Sequence, residues 1–313
     1  MTNKRYLGFI YIITGAAFWG ITAALTQWLS SQVHFTVGWL STVRLMVSGL
    51  VMLIILSRKI NIWLIFKDKK SLLQVILIGI LGNLGVQYTN MAAIGTGNAV
   101  TATLFQYLAP IIIAVFLAFQ KKRMPTFIEM LALFIALCGM YLLITNGSIN
   151  SLSLSVAGIL WGIISAAALA FYTLYPKKFM KQWGSALTVG WGLFIGGFAE
   201  GLFNPPWQVK ISEWSIPSLL ALIFIIGFGT LAGYFLYLES LKFITPTETS
   251  ILSCAEPLAA TFVSVIWLHV SFGLFQLIGG FFIVVTVILL SVKPIKLRHP
   301  LRRKSNNVTH LEH

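Results

Sequence analysis

Hydrophobic residues run through this chain in long blocks, and the polar side chains inside them fall on narrow stripes. Block length identifies the element. Where no water is present to satisfy the backbone, an apolar run of about 20 residues closes its own hydrogen bonds as a membrane-crossing helix. Ten such helices are predicted, over residues 6–28, 36–57, 72–92, 98–120, 126–145, 153–175, 185–203, 216–241, 246–268 and 272–292. The expected fold class is an all-α polytopic membrane protein. Little sequence is left over, so any activity has to live among the helices.

The blocks repeat. Pro110 and Pro257 lie 147 residues apart, each ending a similar stretch, and the same offset pairs Gly15 with Gly162, Thr26 with Thr173, Gly49 with Gly196 and Gly82 with Gly229. This divides the chain into a first five-helix repeat (1–147), a second (148–292) and a basic tail (293–313). Five is odd, so the second repeat enters the bilayer upside down. Inverted repeats are the architecture of many transporters, because exchanging the roles of the halves opens a shared site to alternate sides.

Composition supports the reading: of 313 residues 58% are hydrophobic and 10% charged. That much hydrocarbon exceeds what a soluble core of this size hides. The charge then orients the bundle. All 22 Lys and Arg residues except Lys210 and Arg44 fall at the start of helix one, after helices two, four, six and eight, or in the tail after helix ten. The positive-inside rule places both termini in the cytoplasm, in the cell membrane. Basic residues spread loop by loop do not form a nucleic-acid-binding face. The first apolar run is too long for a signal-peptide core and is matched in the second repeat, so it is expected to remain in the protein. Leu311, Glu312 and His313 read as a cloning scar and carry no functional weight.

Polar residues inside the helices are the candidate chemistry. Asn83, Gln87 and Asn90 share one face of helix three, and the offset carries that stripe to Thr230, Tyr234 and Tyr237 on helix eight. Thr103 and Gln106 precede Pro110; Ser250 and Ser253 precede Pro257. Trp19, Thr22 and Thr26 form a third stripe on helix one. Such stripes either line a cavity or bond helix to helix at about 0.6–2 kcal/mol per contact. The two prolines kink their helices and each frees the carbonyl four residues earlier, on Gln106 and Ser253, to meet a ligand or simply to bend the helix.

Among the acids, Glu248 is expected to cap helix nine from Thr245, with Asn98 at the equivalent cap of helix four, and Glu129 to sit at a favourable helix start. Glu239 is expected to pair with Lys242, and Glu200 to be interfacial. Glu256 differs, because it lies deep in helix nine beside Pro257. A carboxylate there costs about 2.5–3.5 kcal/mol and needs a partner, water or a proton. It is read as a cation-binding or proton-exchanging residue, or as the structural partner of Arg44, the one basic residue deep in a helix. The aromatics Trp19, Tyr107, Trp161, Tyr172 and Tyr234 either line the cavity or pack the core. Cys138 and Cys254 are read as packing thiols.

These residues carry a resemblance. Trp19-Gly20 in helix one, Arg44 in helix two, Pro110 in helix four, Tyr172 in helix six and Glu256-Pro257 in helix nine together make the chain similar to the EamA family of the drug/metabolite transporter superfamily. The chain departs from the family pattern at Glu239, where an aromatic is usual, and after helix four, where Gln120 and three basic residues replace an acid. The resemblance implies secondary-active or facilitative movement of small metabolites, most often export of amino acids or related compounds. Aromatics around one deep carboxylate also fit an organic cation.

Other classes find less support. The catalytic motifs of metalloproteases, of α/β-hydrolases and of ATP hydrolysis are missing, and His34 and His269 fall at loop positions, so the chain is not read as an enzyme. A repeated selectivity loop or ring of charges, as in a channel, is missing too. The expected partners are a small-molecule substrate and the lipid bilayer, with protons an optional co-substrate; the sequence leaves the oligomeric state open, a monomer being plausible. No cofactor, metal or nucleic acid is called for.

Overall fold

A computed structural model describes residues 4–121, 125–152, 155–208, 214–267 and 273–292. In chain order the helices are α1 (Arg5–Gln32), α2 (Val37–Ser57), α3 (Lys69–Thr96), α4 (Ala99–Gln120), α5 (Phe127–Thr145), α6 (Val156–Trp183), α7 (Ser185–Glu200), α8 (Ile216–Ser240), α9 (Pro246–Trp267) and α10 (Leu274–Ser291). Among the described residues no strand forms, and all of these helices except α7 are long and apolar enough to cross a membrane. The 16 residues of α7 rise about 24 Å, a little less than a bilayer core. It follows α6 through one residue, Gly184, whose φ of 79° and ψ of 162° are open only to glycine.

Helix ends differ from expectation where charge begins. α3 starts three residues early because Asp68 caps it, its carboxylate accepting from the Lys70 and Ser71 amides at 3.1 and 3.2 Å. α6 runs on to Trp183 as an amphipathic turn that buries Phe179 and Met180 while Lys178 and Lys181 face out. Hydropathy reads apolar length alone and stops before both. The expected ends at 153, 268 and 272 lie outside the described residues, as do Lys122, Arg123, Lys210, His269 and the tail.

The duplication is visible helix by helix. The starts of α3, α4 and α5 at Lys69, Ala99 and Phe127 recur 147 residues on at Ile216, Pro246 and Leu274. α3 and α8 each contain a π-helical stretch, Ile78–Leu84 and Ile225–Ala232, again starting 147 apart. α4 and α9 each break shortly before their proline, at Tyr107-Leu108 and Ser253-Cys254.

Packing obeys the same exchange. α2 lies against α7 and α5 against α10, while α1 packs on α8 and α9 as α6 packs on α3 and α4. The first helix of each half is thus held by the third and fourth of the other. α2 and α7 approach through glycine: a Cβ on Gly49 would stand 2.7 Å from the Phe194 Cα, and one on Gly197 2.8 Å from the Met46 Cα. Without a hydrophobic drive between helices in lipid, such backbone proximity is what holds them. Outward faces carry Phe119, Phe134, Leu220 and Phe281, all exposed, as a lipid-facing surface requires.

Contacts between helix ends fall into two groups. At the end where α1 begins, Arg5 pairs with Glu248, Trp183 Nε1 donates to Ser71 Oγ at 2.9 Å, and Trp191 Nε1 donates to the Ile62 carbonyl at 3.2 Å. At the other end Trp39 Nε1 donates to the Pro206 carbonyl and Asn98 Nδ2 to the Ser151 carbonyl, both at 2.7 Å. Each contact joins helix ends that would share one side of the membrane if all ten helices crossed in succession. Glu129 and Glu248 complete capping boxes with Thr126 and Thr245, and Asn98 caps α4 by accepting the Thr101 amide at 2.8 Å. Glu239 pairs with Lys242. Arg5→Ala, which strips a partner from the buried Glu248, is expected to lower stability by about 1–3 kcal/mol in a detergent melting experiment.

Candidate functional site

The stripes of α1 and α8 meet where the halves cross, and Gln87 of the α3 stripe joins them. Trp19 of α1 and Tyr172 of α6 both pack on the α8 pair Tyr234 and Tyr237, with ring centroids 5.3 and 5.2 Å away for Trp19 and 5.6 and 6.3 Å for Tyr172. Tyr234 and Tyr237 are one helical turn apart on one face, so each wall meets both rings. Side-chain loss makes the room. A Cβ on Gly233 would lie 2.6 Å from Trp19 Nε1, and one on Gly82 2.8 Å from Tyr172 Cδ2.

Polar groups surround this four-ring cluster. Gln87 Nε2 donates to the Tyr234 hydroxyl at 3.1 Å, and the Tyr237 and Thr173 hydroxyls share a 2.6 Å bond. Trp19 Nε1, Tyr172 Oη, Thr22 Oγ1 and Thr230 Oγ1 are buried without a hydrogen-bond partner among the described residues. Most buried polar atoms in proteins are paired, so these four stand out beside the rings.

Glu256 adjoins the cluster from α9. It is partly buried, and its Oε2 accepts from the Tyr107 hydroxyl of α4 at 2.9 Å. Arg44 of α2 lies within electrostatic reach of Glu256, Tyr234 and Glu200. Among the described residues no ion pair joins it to Glu256, whose direct hydrogen bond is to Tyr107. The freed carbonyl expected on Ser253 is also corrected: it accepts the Glu256 amide at 3.0 Å, tightening the turn before Pro257, while Ser253 Oγ donates to the Ser250 carbonyl at 2.8 Å.

The first-repeat stripe behaves differently. Asn90 Nδ2 donates to Gln106 Oε1 at 3.3 Å, and Gln106 Nε2 donates to Ser165 Oγ at 3.1 Å. These residues tie α3, α4 and α6 together, as the helix-to-helix alternative expected. Asn83 is buried against Gly192 and Gly196 of α7, with neither amide atom bonded. Trp161 stands apart from the ring cluster and packs on the exposed Tyr88 at 6.1 Å. Pro110 and Pro257 mark the breaks in α4 and α9, as expected.

Sequence reasoning passed over Ser165 and Thr173 as site members, although the 147-residue offset paired Thr173 with Thr26; it placed Tyr237 on the helix-eight stripe without naming it for binding. It also placed Glu200 at the interface, whereas that side chain is 1% exposed and accepts from Ser41 Oγ at 2.9 Å. A cavity of about 630 Å3 opens at the end of the bundle where α1 begins, between Arg5, Leu117, Lys181, Phe243 and Thr247. It contains none of the ring-cluster residues. Cys254 is buried beside them and Cys138 is partly buried, both as free thiols. No group of His, Cys, Asp or Glu among the described residues is arranged to hold a metal ion.

Comparison with known proteins gives the fold and site their context. The profile of the EamA-like transporter family matches residues 6–145 and 156–292, once per repeat. The uncharacterized inner membrane transporter YicL of Salmonella typhimurium is 32% identical over 288 residues, covering 91% of this chain and 95% of its own length. The uncharacterized transporter YwfM of Bacillus subtilis is 27% identical, covering 83% and 85%. One solved protein structure superposes with a TM-score of 0.75 at 17% identity, over 90% of this chain and 96% of its own, a likeness of fold.

Proposed function

This chain belongs to the EamA-like transporter family, and from that premise we propose that it exports an amphipathic amino acid or a related zwitterion across the cytoplasmic membrane by alternating access. The carrying observation is the juxtaposition of Glu256, held by Tyr107, with Arg44 in electrostatic reach and the four-ring cluster alongside. A zwitterion brings an ammonium for the carboxylate, a carboxylate for the guanidinium and an apolar body for the rings. Opposite charges placed this way would satisfy both ends at once.

The basic loops support a cytoplasmic location for both termini, and the 630 Å3 cavity lies at that end. The opposite end is filled by aromatic packing: Trp28 on Trp267 at 5.7 Å, and Phe35 and Trp39 around Trp214 at 5.8 and 6.2 Å. A cavity on the cytoplasmic side opposite a closed outer end supports loading from within, as export requires. Secondary-active and facilitative transport both fit this geometry.

An organic cation is the second reading, favoured by the electron-rich faces of Trp19, Tyr172 and Tyr234. Arg44 opposes it, because a permanent cation without an anionic group would sit beside an unanswered positive charge. A panel of amino acids and quaternary ammonium compounds decides between them. A true solute at about 100 times its dissociation constant is expected to add about 2.7 kcal/mol of stability, followed by saturable counterflow in proteoliposomes. Stabilisation by quaternary ammonium compounds alone would move the assignment to the cation class.

A further inference from the structure

We propose that Glu200 is a proton-binding site, separate from Glu256, whose occupancy controls the outer end of the seam between α2 and α7. Glu200 closes α7 and is 1% exposed. One carboxylate oxygen accepts from Ser41 Oγ at 2.9 Å; the other, Oε1, is buried without a hydrogen-bond partner among the described residues. Thr42 Oγ1, on the residue after Ser41, is buried and unpartnered too.

The surroundings decide the charge. Arg44, one turn along α2 from Ser41, and Tyr234 of α8 are the titratable or charged groups within electrostatic reach of Glu200, and neither bonds to it. α3 presents Asn83 to α7, which does not titrate. An ionised carboxylate in such a place bears a desolvation cost that one hydroxyl and an unbonded Arg44 offset only in part. A proton removes it. The step balances simply: a proton from water forms the O–H bond on Oε1 while the Ser41 bond to Oε2 stays, and the same proton returns to water when the seam opens.

Internal symmetry gives the site a direction. The position 147 residues before Glu200 is Leu53, which lies against Gly190 towards the opposite end of the same α2–α7 seam. One end of the crossing is therefore apolar in every condition, and the other is closed by a group that charges when wetted. Protonated Glu200 keeps the outer end packed; loss of the proton favours water entry there. Arg44 is then left to Glu256 and whatever solute binds it, so the proposal stands independently of the solute.

Infrared difference spectroscopy of the protein in lipid at pH 7 tests this directly. The wild type is expected to show a protonated-carboxyl stretch that Glu200→Gln removes and Glu256→Gln leaves. Ser41→Ala in the Glu256→Gln background is expected to shift the frequency of that stretch, which assigns it even if Glu200→Gln fails to fold. Glu200→Gln, which replaces one neutral group by another of the same shape, is expected to leave the melting temperature at pH 7 unchanged. A stretch that survives Glu200→Gln overturns the proposal, as does one unmoved by Ser41→Ala.

Discussion

Replacing Glu256 by Gln is expected to weaken binding of an ammonium-bearing solute about ten- to a hundred-fold while the fold survives. The side chain keeps its shape, and the Tyr107 hydroxyl that donates to Glu256 Oε2 finds an amide oxygen in the same place. What is lost is the charge. Hydrogen bonds to charged groups contribute about 1.5–3 kcal/mol, and each 1.4 kcal/mol is tenfold in affinity. Solute-induced thermal stabilisation reads the change. Arg44→Gln is expected to act on a different part of the solute, weakening amino acids while leaving simple ammonium compounds bound as well or better. If both variants weaken both classes equally, the pair acts on structure and not on the zwitterion.

The largest structural effect is expected at Gly20. α1 crosses α9 there so closely that a Cβ on Gly20 would lie 2.6 Å from the Ala260 backbone nitrogen and 2.7 Å from the Ala259 Cβ. A backbone atom cannot rotate aside as a side chain can. Gly20→Val is therefore expected to push the helices apart and to destabilise the protein by about 3 kcal/mol, the upper part of the overpacking range. The same shift moves Trp19 on the Tyr234 and Tyr237 rings, so solute binding should fall together with stability. Gly95→Ala is the control, since a Cβ there meets no atom within 4 Å. It should be neutral or slightly stabilising.

How much of this was legible in the sequence depends on the interaction involved. Apolar block length and the 147-residue offset gave the helices and their pairing, because both are properties of continuous segments. Capping at Thr245 and Asn98 was readable for the same reason: the partners are three residues apart. The kinks at Pro110 and Pro257 followed from a missing donor. Where partners come from distant helices, residue type alone did not choose. Glu256 had Arg44 as its conspicuous candidate and takes the Tyr107 hydroxyl; Glu200 sat near a helix end and is nonetheless buried on Ser41. Trp161 and Tyr172 looked alike in sequence, but one faces the exposed Tyr88 and the other the central rings.

The π-helical stretches had no sequence signal beyond clustered glycines. Their matched positions in α3 and α8 place a loosened turn beside the cluster in each half, and the Ile226 carbonyl in one of them accepts from Ser48 Oγ of α2 at 2.7 Å. π-helical turns of this kind recur at functional sites.

The proposed alternating access depends on opposed threading of the two halves. Side-specific labelling tests it most directly: with Cys138 and Cys254 replaced, single cysteines at Lys4 and Asn150 are treated on intact cells with a maleimide that cannot cross the membrane. Labelling at position 150 and protection at position 4 is the predicted result; labelling of both, or of neither until the cells are opened, contradicts it.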